Sequence, residues 1–174
     1  MQNVNERAQK IKLLIMDVDG VMTDGQIYLT PKGDESKAFH TLDGLGLKML
    51  QASGVKTAIM TGRDAQCVAI RAKSLGINHY MAGVEDKREA FAQLLEHAGV
   101  RADECAYIGD DVVDLPPMVR CGLAVAVPEA HELVLKHSQY VTKRGAGRGA
   151  VRELCELIMQ AQGTLDDALS GYLL

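Results

Sequence analysis

The chain has 174 residues, 47 % of them hydrophobic and 24 % charged, with a net charge of −4 at neutral pH. That length supports one domain with a substantial buried core and is too short to suggest two. The acidic balance argues against a nucleic-acid or anionic-membrane binder, and no apolar run approaches the roughly 20 residues that span a bilayer.

In chain order, Met1 to Arg7 lack the apolar stretch of a signal peptide. Residues 11–16 form an apolar run that reads as a buried strand entering Asp17. Residues 25–39 hold the β-prone Gln26-Ile27-Tyr28-Leu29 and the turn-rich Pro31-Lys32-Gly33-Asp34, which predict an inserted hairpin. A helix is expected over 45–52 and a second strand over 55–60. Helices over 65–75 and 86–98 each stop at a glycine, Gly76 and Gly99, and Asp86 with Glu89 fits a capping box. Strands follow at 105–108, 123–127 and 140–141, with a short helix around Leu133 and Val134 and a long one over 150–161. The alternation predicts an α/β fold, a doubly wound parallel sheet covered on both faces. One domain is expected over 1–162, and the tail at 163–174 reads as a disordered end or a docking arm. The cysteines (Cys67, Cys105, Cys121, Cys155) are widely spaced with no Cys-x-x-Cys pair, so reduced thiols and a cytoplasmic location are expected.

Sites in open α/β sheets lie at the carboxyl ends of strands, and four such ends carry polar groups suited to phosphoryl transfer. In Asp17-Val18-Asp19-Gly20 two carboxylates can divide labour once the chain turns at glycine, one attacking phosphorus and the other handling the proton. An acidic turn is the alternative for that stretch alone. Thr61-Gly62-Arg63-Asp64 offers a hydroxyl and helix-opening N–H groups to a phosphate, although Thr is also a common helix cap. Lys87 stands at the positive end of a helix dipole, where a cation is unfavourable unless it has a task; a surface lysine is the alternative. Gly109-Asp110-Asp111-Val112-Val113-Asp114 adds an acidic cluster suited to a hard cation such as Mg2+. Arg148 and Arg152 read as a solvated helix face, and the histidines other than His40 show no paired ligand spacing.

These four segments, in this order, resemble the haloacid dehalogenase superfamily of phosphohydrolases across nearly the whole chain. The resemblance implies a Rossmann-like fold with no separate cap domain, Asp17 as the residue phosphorylated, and Asp19 as general acid and base. It implies Thr61 and Lys87 on the phosphoryl group, and magnesium held by Asp17, the Asp19 carbonyl and Asp110, with Asp111 or Asp114 in support. Small size, the hairpin flap and Asp43-Gly44-Leu45-Gly46 resemble a subgroup acting on an eight-carbon 2-keto sugar-acid phosphate. By that resemblance the substrate contacts are Asp19, His40, Thr41, Leu42, Asp43, Gly44, Lys48, Arg63, Arg71 and Lys87. Lys48 stands where the subgroup pattern has arginine, which loses bidentate geometry. The partners implied are a small-molecule sugar-acid phosphate and three further copies of the chain in a homotetramer, with no nucleic acid or membrane. A nine-carbon substrate, a non-catalytic regulatory module and a phospho-receiver domain are the competing expectations; a receiver has no need of Asp19.

Overall fold

The computed structural model describes residues 3–174. Met1 and Gln2, where the reading of the N-terminus begins, lie outside them. Helix α1 (Val4–Ala8) leads into β1 (Leu13–Met16), all four of whose side chains are completely buried. Each such burial contributes roughly 1.5–3 kcal/mol, and a charge at any of them would stand unpaired in the core. The hairpin follows as β2 (Tyr28–Leu29) and β3 (Glu35–Ser36), an antiparallel pair that forms its own two-stranded sheet. Next come α2 (Thr41–Ala52), β4 (Lys56–Met60), α3 (Gln66–Leu75), β5 (His79–Met81) and α4 (Lys87–Ala98). Then β6 (Cys105–Gly109), α5 (Leu115–Met118), β7 (Leu123–Ala126), α6 (Glu132–His137), β8 (Tyr140–Val141), α7 (Ala150–Gln162) and α8 (Leu165–Ser170) complete the chain.

Six parallel strands form the main sheet in the order β5-β4-β1-β6-β7-β8. Ile15 of β1 lies opposite Ala58 on one side and Tyr107 on the other. The winding reverses between β1 and β6, so the crevice beyond their carboxyl ends is where a ligand is expected. Asp17 and Asp110 lie just past those two ends.

Several boundaries differ from the expectation. Helix α2 begins at Thr41 rather than 45 because His40 caps it: its Nδ1 accepts the Leu42 N–H at 3.2 Å. Strand β5 had no expectation, being three half-buried residues at the sheet edge without an apolar run. Helix α5 was also unforeseen; two prolines near its start fall where helix N–H groups lack partners anyway. Asp86 caps α4 as expected, but it takes the Arg88 N–H at 2.7 Å and no return bond from Glu89 completes a box. Residues 165–170 of the tail are helical, with Leu165, Ala168 and Leu169 packed on the core, while Leu173 and Leu174 are exposed. Helices α2 and α7 pack at close range at Gly46, where a Cβ would come within 2.6 Å of Arg152 Cδ. All four cysteines are free, and burial pushes the Cys105 and Cys121 thiols up to about 12.

Candidate active site

Strand β1 delivers Asp17 into the crevice, where its N–H bonds to the carbonyl of Ile108 in β6 at 3.1 Å. Lys87, the first residue of α4, is buried and reaches across to it, with Nζ 2.9 Å from Asp17 Oδ1. The same ammonium lies 2.7 Å from Asp114 Oδ1 and 3.2 Å from the Tyr107 hydroxyl. Tyr107 donates to Asp114 Oδ1 at 2.7 Å, and Asp114 Oδ2 accepts the N–H groups of Asp110 and Asp111 at 2.9 and 3.2 Å. Asp114 thereby fixes both the lysine and the loop that carries Asp110. Lys87 thus has two carboxylate partners, which answers why a cation sits at a helix N-terminus.

The loop after Asp17 is wound tightly. The Val18 carbonyl accepts from the N–H groups of Val21, Met22 and Thr23, and buried Thr23 accepts from Gly20 and Gly25. Gly20 has φ +86°, and a Cβ there would run into the Asp110 carboxylate. Only glycine lets the β1 and β6 loops approach this closely. Asp19 follows β1 on the half-exposed side and forms an ion pair with Lys37, which comes from the hairpin. Lys37 also lies 3.6 Å from Glu35, and Glu35 pairs with Arg63. Neither Glu35 nor Lys37 was expected at the site. Lys37 lies one residue past β3, and both charges sit in a turn-rich stretch that gives no local sign of what they face.

Thr61 is buried at the end of β4, with its N–H on the Met81 carbonyl at 2.9 Å and its hydroxyl accepting the Arg63 N–H at 3.4 Å. Thr41, Gly44, Lys48 and Arg71 instead line a separate cleft of about 270 Å3 between α2 and α3, none of whose lining residues belongs to the strand-end cluster. Arg71 stacks 5.8 Å from the Phe39 ring centre and contacts the His40 carbonyl at 3.5 Å. Leu42 is exposed. Asp43, expected as a substrate contact, is 2 % exposed: its Oδ1 accepts the Arg152 N–H of α7 at 2.8 Å, and its Oδ2 is buried without a partner. Arg148 is exposed, but in the loop before α7 rather than on a helix face. It lines a cleft of about 370 Å3 with Gly20, Asp24, Asp110 and Glu129. Arg152 is partly buried and pairs with Glu156 at 2.7 Å.

The charges around Asp17 do not balance. Asp17, Asp110 and Asp114 can bring ligand oxygens within 4.8 Å of one another, and Lys87 is the cation among them. Burial, then Asp114, raises the Asp17 carboxyl to about 6; burial, then Asp17 and Asp114, raises Asp110 to about 7. Burial works against the Lys87 charge, but Asp17 and Asp114 outweigh it and hold the amine above its ordinary range. Asp110 Oδ1 is buried without a partner. An orphaned carboxylate oxygen within an over-negative oxygen cluster fits a hard divalent cation. Beside it, a lysine-held carboxylate can attack an electrophilic phosphorus.

Comparison with known proteins agrees with this chemistry. Residues 31–122 match the haloacid dehalogenase-like hydrolase family. The chain is 46 % identical over 166 residues to the 3-deoxy-D-manno-octulosonate 8-phosphate phosphatase of Escherichia coli, covering 95 % of this chain and 88 % of the relative. It superposes with a TM-score of 0.95, at 44 % identity and 97 % coverage of both chains, on the Moraxella catarrhalis phosphatase of that name, a complex with magnesium, phosphate and KDO. A cobalt-bound deoxy-D-mannose-octulosonate 8-phosphate phosphatase from Haemophilus influenzae superposes at 0.92, with 40 % identity over 97 % of this chain and 99 % of that one.

Proposed function

This chain belongs to the haloacid dehalogenase-like hydrolase family, and we propose that it is the magnesium-dependent phosphatase that converts 3-deoxy-D-manno-octulosonate 8-phosphate to the free sugar acid and phosphate. The observation that carries the reading is Lys87 bridging Asp17 and Asp114 beside the unpartnered oxygen of Asp110. In the first step an Asp17 oxygen forms a bond to phosphorus as the bond to the sugar oxygen breaks, and Asp19 gives that leaving oxygen its proton. Asp19 then takes a proton from the water that attacks the phosphoaspartyl group, which restores Asp17. Lys87 keeps Asp17 aimed at phosphorus and, with the Thr61 hydroxyl, binds phosphoryl oxygens. Asp114 and Tyr107 hold Lys87 in turn.

The carboxylates of Asp17 and Asp110, with the Asp19 carbonyl, would hold magnesium. When bound, the ion supplies Lewis-acid neutralisation of the phosphoryl oxygens and of the paired carboxylates. Arg63 and Arg71 suit the substrate's own carboxylate by planar, bidentate hydrogen bonding. We place His40, Thr41, Leu42, Gly44 and Lys48 along the path of the sugar, and Asp43 beneath it as support for that segment.

A single domain over residues 1–162 with a flap at 25–39 and a tail belongs to the same reading, as does assembly into a homotetramer. Exposed Ile27, Tyr28 and Leu29 on the flap support the assembly. A cytoplasmic setting is in keeping with four free cysteines; no helix among the described residues is long and apolar enough to cross a membrane.

The purified protein is expected to release phosphate in magnesium and to fall silent in EDTA. Asp17→Asn should lower kcat by about 10³-fold or more with an unchanged fold; wild-type turnover would remove Asp17 as nucleophile. In a panel of sugar-acid phosphates compared by kcat/KM, the eight-carbon substrate should lead, and a nine-carbon leader would replace it.

A further inference from the structure

We propose that Lys37, on the hairpin flap, is a positioning residue for Asp19. The proposal rests on Asp19 being the acid and base. Its premise is a lysine side chain with no exposed surface, carried on a segment that is otherwise largely solvent-facing. A sheltered ammonium is costly unless it is paired. Lys37 has two carboxylates, Asp19 directly and Glu35 at 3.6 Å. Glu35 continues the chain to Arg63, so four alternating charges run from the loop after β1, through the flap, to the loop after β4.

The donor that reaches the Asp19 carboxylate is Lys37. The neighbouring backbone is pinned by the turn at Val18 to Thr23, but that turn leaves the side-chain torsions of Asp19 unset. Asp17 next door has Lys87 to aim it; Asp19 has the flap. A proton donor must come within about 2.6–3.2 Å of the leaving oxygen, and a displacement near 1 Å can cost about 10²-fold in rate. Lys37 supplies that aim when the hairpin is closed, and Glu35 orients Lys37 by holding its other side. The flap thereby acts on the chemical step as well as on access to the site.

The experiment compares kcat and KM on the sugar-acid phosphate for wild type, Lys37→Met, Lys37→Gln and Lys37→Arg, with Asp19→Asn alongside. Loss of positioning is expected to lower kcat of the Met and Gln variants by about 10- to 100-fold, with KM within about threefold. Lys37→Arg, which keeps the charge, should recover at least half of that loss on a logarithmic scale. Thermal melting checks that each variant is folded, and the Gln variant keeps a polar group in the sheltered position should the Met variant fold poorly. A folded Lys37→Met or Lys37→Gln enzyme with kcat within threefold of wild type overturns the proposal. So does a loss carried wholly by KM, or one that Lys37→Arg does not relieve. Asp19→Asn separates the two layers of the argument. If it turns over normally, the acid and base reading has failed; if it is silent while both neutral Lys37 variants run at full speed, only the positioning role has.

Discussion

Two charge clusters share this crevice, and they are built in opposite ways. The strand-end cluster of Asp17, Lys87, Asp114 and Tyr107 is rooted in β1, β6 and the first turn of α4, and the side chains of Lys87 and Asp114 are 3 % and 0 % exposed. The flap cluster of Asp19, Lys37, Glu35 and Arg63 hangs on a hairpin with two-residue strands, and 46 % of the Arg63 side chain is in solvent. In the first, Lys87 bridges Asp17 and Asp114, and Asp114 is held in turn by Tyr107 and two backbone N–H groups after β6. In the second, every member sits on a loop or on the flap: Asp19 after β1, Glu35 and Lys37 on the hairpin, Arg63 after β4. A phosphatase needs both: a nucleophile fixed against a cation site, and a gate that admits a charged sugar.

The largest expected difference between the clusters is in stability. Lys87→Met removes the one side-chain cation from between two buried carboxylates, and breaking a buried pair from one side costs about 3–5 kcal/mol. At about 2–4 °C per kcal/mol for a chain of this size, the metal-free variant should melt roughly 10 °C below wild type. Arg63→Gln, on the half-exposed flap pair, should cost less than about 1 kcal/mol. Thermal unfolding of both variants in EDTA measures the contrast; equal melting temperatures would erase it.

Proton linkage should separate the clusters next. The Asp17 and Asp110 carboxyls stand at about 6 and about 7 in the folded protein, both raised above the ordinary value of 3.8, by burial first. Between about pH 4 and 7 the folded chain therefore holds protons that the unfolded chain has released, so the metal-free protein loses stability as pH rises through that window. Magnesium needs the ionised carboxylates, so its stabilisation should grow over the same range. The flap runs the other way. Arg63 holds Glu35 below its ordinary value, and that small contribution is present above about pH 4.5 and fades as pH falls. Melting curves from about pH 5 to 8, with and without magnesium, should show a widening gap. A constant gap would mean that Asp17 and Asp110 are already ionised at the acid end.

Most of the rigid cluster was legible in the sequence, whereas of the flap cluster only Asp19 and Arg63 were, for a physical reason. Asp17, Lys87 and Asp110 follow apolar runs or a helix cap, so local pattern alone puts them at strand and helix ends on one edge of a parallel sheet. Asp114 was visible as part of the acidic run, but its bridge between Lys87 and the Asp110 loop forms only when α4 packs beside β6, and Tyr107, which also donates to it, reads in sequence as a strand residue. Lys37 and Glu35 sit in a turn-rich stretch where charge is the ordinary state, and only closure of the hairpin shows what they face. Asp43 differs again: it was expected ahead of a helix at 45–52, and nothing local reveals that α2 starts at Thr41 and that α7 covers the carboxylate. The same limit hid β5, whose three residues become a strand only because β4 offers an edge.

The smallest expected effect on folding, and the sharpest test of the flap as a separate part, lies at its tip. Tyr28 and Leu29 are 57 % and 64 % exposed, apolar groups on strands too short to bury them. Within one chain they contribute little, so Leu29→Ser should change folding stability by no more than about 0.5 kcal/mol. In the proposed tetramer they are covered by other copies, and the same change should shift the sedimenting species from four chains toward fewer at micromolar concentration. A wild-type protein that sediments as a monomer would remove the assembly. A Leu29→Ser protein that keeps the mass of four chains would leave the assembly standing and move its interface away from the flap, freeing the hairpin to open and close over Asp19 in each chain on its own.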